Sequence, residues 1–460
     1  MKLYRHKLII VIIAAFLCVK FFTIGIYSQV WWDSSVYIGM GKYIFSLGNS
    51  GFWEDSRPIV WPLMLGLLWK IGLSQILFGR ILEIIFGSLC ILLTYSIGNK
   101  LFNRKTALLS SLFLAFSPTF FFFNGIMLTE IVSTFFSLAA IYLFIEKKYF
   151  VSGFFFGIAF MTRYLQLIVF AAAIITILAQ FSRKRIKNNA DLFTGFIVAT
   201  APFLIVNQIL YGNAMHPFLQ QTFLTNNSGW FNHPSLTYYF VELFKENILY
   251  LSLIFGIFLL LKKLHSNKKL ILISFIIFFV FFNSIKQKEM RFLIVLLPYM
   301  YLLMSHAIAH ILDNTKNNVI KESIITLIIL SLSFSILNII TYYKDEYGKN
   351  NQYYSLQNKL HEYYAKGEIW VSSPSIPVFS DKKIDQLMYY PVFNEKKKKE
   401  LIDESKKAVF ILMDSCDLAC KPNDVKCEND KEELLAFLKQ KFRIKYASAA
   451  DGCRQYVFEK

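Results

Sequence analysis

Asp33 stands in the run Trp31-Trp32-Asp33-Ser34-Ser35-Val36-Tyr37, directly after an apolar stretch. A carboxylate held there can take a proton from a hydroxyl at a membrane surface. The same residue can equally cap a helix starting at Ser34, with the tryptophans as an aromatic belt. Glu54-Asp55-Ser56-Arg57-Pro58 follows, then Arg80, then Leu128-Thr129-Glu130 and Met161-Thr162-Arg163-Tyr164. Glu130 suits a helix N-terminus and Arg163 suits a snorkelling anchor, and both could also meet a polar ligand. The densest signal is Lys286-Gln287-Lys288-Glu289-Met290-Arg291-Phe292, three cations within six residues. Such a cluster fits a phosphate or a phospholipid headgroup.

These residues sit in a chain that cannot be soluble. Hydrophobic residues make up 55% of 460, Phe alone 47 positions, and charged residues 17%. Soluble chains carry about 25% charge. Apolar runs near bilayer length recur at about eleven places: 8–29, 76–97, 106–123, 130–146, 150–165, 166–181, 190–210, 247–263, 269–285, 292–312 and 319–342. The middle ones are short, and 150–181 also reads as a re-entrant hairpin. Segment 59–72 is too short to span and reads as a juxtamembrane helix inside an outer loop, 30–75. The reading is an α-helical polytopic membrane protein with a transmembrane domain over 1–342 and a small mixed α/β domain over 343–460.

The net charge of +18 is not a nucleic-acid footprint. Residues 343–460 hold 21 Lys/Arg against 19 Asp/Glu, whereas residues 1–342 hold 28 against 12. The excess therefore follows the membrane part, as the positive-inside rule expects. With the N-terminus cytoplasmic, the inner connections and their flanks carry 18 cations and the longer outer segments nine. Odd parity then puts the C-terminal domain outside the cell membrane. Ionisable groups inside a bilayer cost about 2.5–3.5 kcal/mol each, so outer-side Asp33, Glu54, Asp55, Arg57, Arg80, Glu130, Arg163, Lys286, Lys288, Glu289 and Arg291 need partners or a purpose.

Cys18 and Cys90 lie in apolar runs, while Cys416, Cys420, Cys427 and Cys453 lie in the polar tail. The tail has no tight Cys-x-x-Cys pair for zinc, so two disulfides are expected, with long-range bridges to Cys453 favoured. Tail strands are expected at 369–372, 378–380 and 408–413, with a helix over 431–441. His306 and His310, at i and i+4, read as structural. Gly153 and Gly157 read as a helix-packing pair. His233 and Tyr238, in an outer loop, either line an acceptor groove or dock that loop.

The ordered set resembles the GT-C superfamily of membrane glycosyltransferases. The branch is that of protein O-mannosyltransferases, lipid A aminoarabinose transferases and dolichol-phosphate-mannose-dependent mannosyltransferases. The resemblance runs over residues 1–310: the Asp33 loop ending at Tyr37, Arg57-Pro58 through Pro62, Gly79-Arg80, Leu101-Phe102-Asn103-Arg104, 114–118, Leu128-Thr129-Glu130 and Thr162-Arg163-Tyr164. Lys288-Glu289-Met290-Arg291-Phe292-Leu293 is similar to the His-Lys-Glu-x-Arg-Phe signature, with Gln287 in place of the histidine.

The resemblance implies transfer of a sugar, a mannose-like hexose foremost, from a polyprenyl or dolichyl phosphate carrier to an extracytoplasmic protein, lipid or glycan, with inversion. It implies Asp33 as the base and Glu130 as the second acid. Arg57, Arg163, Lys288 and Arg291 then face the donor phosphate. Tyr37, Glu54, Asp55, Arg80, His233, Tyr238 and Glu289 line the acceptor cavity. Some relatives use a divalent metal, Mg or Mn, and the sequence leaves metal use open. Two other classes would also need outward cations: a transporter or flippase for lipid-linked sugars, and a non-catalytic partner that binds them. No inverted repeat with broken helices, the mark of the transporter class, is evident in the sequence.

Overall fold

The structure is a computed structural model that describes residues 7–26, 29–179, 185–228, 234–262, 266–346, 351–362, 367–388, 393–450 and 452–460. In chain order its helices are α1 (Lys7–Thr23), α2 (Trp32–Phe45), α3 (Val60–Lys70), α4 (Gln75–Leu101), α5 (Arg104–Ala115), α6 (Pro118–Phe123), α7 (Thr129–Ile145), α8 (Tyr149–Thr162), α9 (Leu167–Leu178) and α10 (Arg185–Tyr211). They continue with α11 (His216–Ser228), α12 (Tyr238–Glu246), α13 (Ser252–Lys262), α14 (Ser266–Ser284), α15 (Leu297–Asn314), α16 (Asn318–Glu346), α17 (Tyr354–Glu362), α18 (Glu395–Glu404) and α19 (Val425–Lys441). The chain forms two compact units.

The helical unit comprises residues 1–27, 80–216 and 232–347. A helical segment stands at each of the eleven expected runs, but only four described helices are long and apolar enough to cross a membrane unaided. These are Gln75–Leu101, Arg185–Tyr211, Asn267–Ser284 and Asn318–Glu346. The other runs are short or broken. Pro118 follows the N-cap Ser117 and starts α6 afresh after α5, and 3-10 turns at Tyr164–Gln166 and Met290–Val295 interrupt two further runs. The breaks matter because they place polar residues between apolar helices. At the other end of the scale, Gly153 packs as expected. A Cβ there would meet the Leu192 carbonyl oxygen at 1.9 Å, so α8 and α10 touch backbone to backbone.

The second unit comprises residues 28–79, 217–231 and 348–460. Its sheet has the order β2-β1-β3-β5-β4, with β1 (Glu368–Val371), β2 (Gln386–Leu387), β3 (Ala408–Asp414), β4 (Arg443–Ala450) and β5 (Cys453–Glu459). β1 runs parallel to β2 and β3, while β5 is antiparallel to β3 and β4. Alternation along β3 divides the core. Ile411 and Met413 join Leu434, Leu435 and Leu438 of α19 on one face. Phe410 and Leu412 join Leu356 and Leu360 of α17, with Val36 and Met40 of α2, on the other. Helix α2 is thus part of the tail's own hydrophobic core.

Three expectations change. Residues 378–380 form turns, and the second parallel strand lies at Gln386–Leu387 instead. The hairpin β4–β5 was not anticipated, because its charged alternation (Arg443, Lys445, Arg454) hides a strand with one solvated face. Finally, the helix expected from residue 431 begins at Val425, where the Asp424 side chain accepts from the Cys427 N–H as an N-cap.

The cysteines pair as Cys416–Cys453 and Cys420–Cys427, separated by 37 and seven residues. One bridge is long-range to Cys453, as favoured. Cys18 and Cys90 are free thiols.

Candidate active site

Asp33 lies in the first turn of α2, whose N-cap is Trp31 without a side-chain cap bond. The capping role for Asp33 is therefore not the one adopted. Its Oδ1 stands 3.0 Å from Arg57 Nη1 instead. Arg57 Nε donates to Glu54 Oε1 at 2.9 Å, and Ser56 Oγ donates to that same oxygen at 2.9 Å. One turn along α2, the Tyr37 ring centroid lies 5.9 Å from the Arg57 guanidinium carbon. Glu54 Oε2 is buried without a hydrogen-bond partner among the described residues. Asp55, half-buried, shares the turn.

Close backbone packing fixes this group. A Cβ on Gly66 would lie 2.5 Å from the Gly41 carbonyl oxygen, so α2 and α3 cross with no side chain between them. Phe52 is buried with Val36 and Met40 against the sheet. The loop bearing Glu54 and Arg57 is thereby pinned between two packed helices.

The helical unit holds a second constellation, built at three helix breaks. Glu130 opens α7 and is nearly fully buried. Arg163 ends α8 in an extended conformation before a 3-10 turn, and Glu289 precedes the 3-10 turn that carries Arg291. Arg163 Nη1 is 3.0 Å from Glu130 Oε1 and donates to Thr129 Oγ1 at 3.2 Å. Arg291 Nε is 4.0 Å from the same Glu130 oxygen and donates to Glu289 Oε2 at 2.6 Å. The Phe292 ring lies under both guanidiniums, 5.6 Å from that of Arg163 and 5.4 Å from that of Arg291. Gln287 Nε2 donates to Glu289 Oε1 at 2.9 Å, and the Tyr239 hydroxyl donates to the Glu289 carbonyl at 3.3 Å. Two planar cations floored by an aromatic ring suit a phosphate.

A sequence profile described as Dolichyl-phosphate-mannose-protein mannosyltransferase matches residues 56–206. No curated protein matches the chain. Among solved structures, ArnT from Cupriavidus metallidurans bound to undecaprenyl phosphate superposes with a TM-score of 0.71 at 11% identity, covering 98% of each chain. This chain shares the fold of that glycosyltransferase. The oligosaccharyltransferase of Archaeoglobus fulgidus in its apo form aligns at a TM-score of 0.64 and 11% identity, over 90% of this chain and 70% of the other. Arabinofuranosyltransferase AftD from Mycobacteria aligns at 0.52 and 10% identity, over 99% of this chain and 40% of that larger one.

In this fold the remaining candidates spread out. Lys288 is buried and donates to the Ile285 carbonyl at 2.9 Å. Arg80 Nη1 donates to the Ile24 carbonyl at 3.1 Å. Tyr238 starts α12 with its ring against Tyr239, and His233 lies outside the described residues. His306 packs on Phe102 with ring centroids 4.7 Å apart, and the His310 ring faces Asn314 and Phe255, consistent with structural roles.

The acids do not form a ready divalent-metal site. In each constellation they face guanidiniums, and the metal-compatible trio found among the described residues is Asp414, Cys416 and Cys453, whose cysteines are disulfide-bonded.

Among the buried charged residues that escaped the sequence reading are Glu83 in α4 and Lys20 in α1, with Lys42 in α2 and Glu246 in α12. Their signal was present. An ionisable residue inside an apolar run is a functional candidate on cost alone.

Proposed function

We propose that this protein is a glycosyltransferase that takes a sugar from a polyprenyl-phosphate carrier and passes it to an extracytoplasmic hydroxyl with inversion. The observation that carries the reading is the pair Arg163 and Arg291 converging on Glu130 at three helix breaks of a GT-C fold. Asp33 is the base. Its carboxylate accepts the acceptor's proton as the acceptor oxygen bonds to the anomeric carbon from the face opposite the phosphate. The bond from that carbon to the phosphate oxygen breaks, and its electron pair leaves with the polyprenyl phosphate. Arg163 and Arg291, with Lys288 and Arg57 as further cations, meet the charge that grows on the departing phosphate. Glu130 fixes Arg163 and Arg291 and orients the sugar or the acceptor.

The donor class is supported by ArnT, solved with undecaprenyl phosphate, and by the archaeal oligosaccharyltransferase AglB, solved with dolichol-phosphate and an inhibitory peptide. A mannose-like hexose and a protein acceptor follow the wording of the matching family, with lipid and glycan acceptors as the alternatives. The loop charges and the two disulfides support a cytoplasmic N-terminus and an extracytoplasmic tail.

The test is purified protein given radiolabelled polyprenyl-phosphate sugars, with mass analysis of the products. Transfer of label to an acceptor hydroxyl is expected. Tight undecaprenyl phosphate binding without transfer from any donor in the panel would favour the non-catalytic or transporting alternatives.

A further inference from the structure

Two buried charges that the reaction above leaves unused, Glu83 and Lys20, stand together at one turn. Glu83, fully buried in α4, spends both carboxylate oxygens on the backbone of 125–128. Its Oε2 accepts from the N–H of Gly125 at 2.8 Å and of Met127 at 2.6 Å, while Oε1 accepts from the N–H of Leu128 at 3.0 Å. Lys20, reaching in from α1, donates to the Phe121 carbonyl and to the Tyr343 hydroxyl, both at 2.9 Å. A Cβ built on Gly125 would come 3.8 Å from its Nζ, so the two charges flank Gly125. α4 also receives the turn through Gly87, where a Cβ would meet Asn124 Nδ2 at 1.9 Å. Asn124 Nδ2 in turn donates to the Glu83 carbonyl at 3.3 Å.

This is more anchoring than an ordinary turn requires. Gly125 has φ +101° and Met127 φ +68°, a left-handed conformation that a residue with a branched-off side chain adopts only when its surroundings impose it. The turn leads directly into α7. Leu128 is the N-cap without a side-chain cap bond, and Glu130 follows two residues later. Glu83 thus holds the backbone N–H groups that stand directly before α7, two residues ahead of Glu130.

We propose that Glu83 is a positioning residue, held in place with Lys20 across Gly125, that fixes the stand of Glu130 against Arg163 and Arg291. The inference rests on the proposed phosphate role of those arginines. Glu130 competes with a bound phosphate for the two guanidiniums. Loosening Glu130 therefore strengthens phosphate binding, whereas general loss of structure weakens it.

The experiment measures undecaprenyl phosphate affinity of the full chain in nanodiscs, with E83Q, E130Q and the double variant, and with R163A and R291A as controls. Glutamine keeps the shape of Glu83 but offers one acceptor oxygen and turns an N–H₂ toward an N–H. E130Q and E83Q should each tighten binding by about fivefold, and the double variant by no more than E130Q alone. Tightening by E130Q with none by E83Q overturns the positioning role and leaves the phosphate reading standing. Equal shifts from E83Q with and without Glu130 also overturn it. Unchanged affinity in R163A and R291A sinks the phosphate reading, and the inference falls with it. If E83Q does not fold, M127G relieves the left-handed strain and E83Q/M127G is measured instead. A double variant that still aggregates makes Glu83 a folding residue and overturns the proposal.

Discussion

The two charged constellations differ in balance and in how they are held. In the unit that contains the sheet, one guanidinium, Arg57, serves two carboxylates, and an oxygen of Glu54 is left over. In the helical unit, two guanidiniums serve Glu130 and Glu289, with the Lys288 ammonium two positions before Met290 in the same stretch. Asp33 keeps 19% of its side chain exposed, while Glu130 keeps 2%. An acid-rich, half-open group is suited to receiving a proton. A cation-rich group around a sealed acid is suited to holding an anion. Similar residue types thus make groups of opposite charge balance according to count and burial.

The comparison breaks first at Asp33. D33N should keep folding and insertion yet lose transfer by about a thousandfold, within the range of general-base removal, as measured by labelled product per enzyme. Transfer within a few-fold of wild type would move the base elsewhere. Next come the cations. R163A and R291A should each weaken undecaprenyl phosphate binding by about tenfold or more, read by native mass spectrometry. R57A should weaken it by only about threefold, because two carboxylates already take up its charge. Equal losses in all three would erase the distinction between the constellations.

A third contrast lies within the tail. Removing Cys416–Cys453 frees a loop of 37 residues and removing Cys420–Cys427 one of seven. By chain entropy the losses are about 4 and about 2 kcal/mol, so paired Cys→Ser variants should lower the Tm of the sheet unit in that order.

A further expected effect is a pH dependence. Burial pushes the Asp417 carboxyl up to about 7, against the bonds it accepts from Ser372 Oγ and Tyr353 Oη. A raised acid binds its proton more tightly when folded than unfolded. Stability is therefore greatest below the unfolded value, falls as pH rises from about 4 to about 7, and is flat above. Thermal melts from pH 5 to 8 should show the decline, and D417N should flatten it.

What the sequence made legible follows from which physical signals are local. Apolar run length exposed the helical segments, because a bilayer-sized stretch is visible without knowing its neighbours. Asp33, Glu130, Arg163 and Arg291 stood out because they sit at the ends of such runs, where a charge has a topological meaning. Glu83 and Lys20 did not, because their partners are backbone groups at 121–128, reached only through tertiary packing. The short parallel strand at Gln386–Leu387 was invisible for a related reason. Two residues carry no periodicity, and its place is set by pairing with Trp370 and Val371.

The burial of Val36, Met40 and Phe52 in a core completed by Val457 has a consequence for biogenesis. The helix bearing Asp33 is made near the start of translation, but the last strand of the sheet it packs on is made some four hundred residues later. At translation speeds of about 5–20 residues per second, α2 waits tens of seconds for its final partner. A chain interrupted before β5 would reach the membrane with most of its helices yet without a seated carboxylate. The core that seats α2 is therefore closed only once the C-terminal strand has been made.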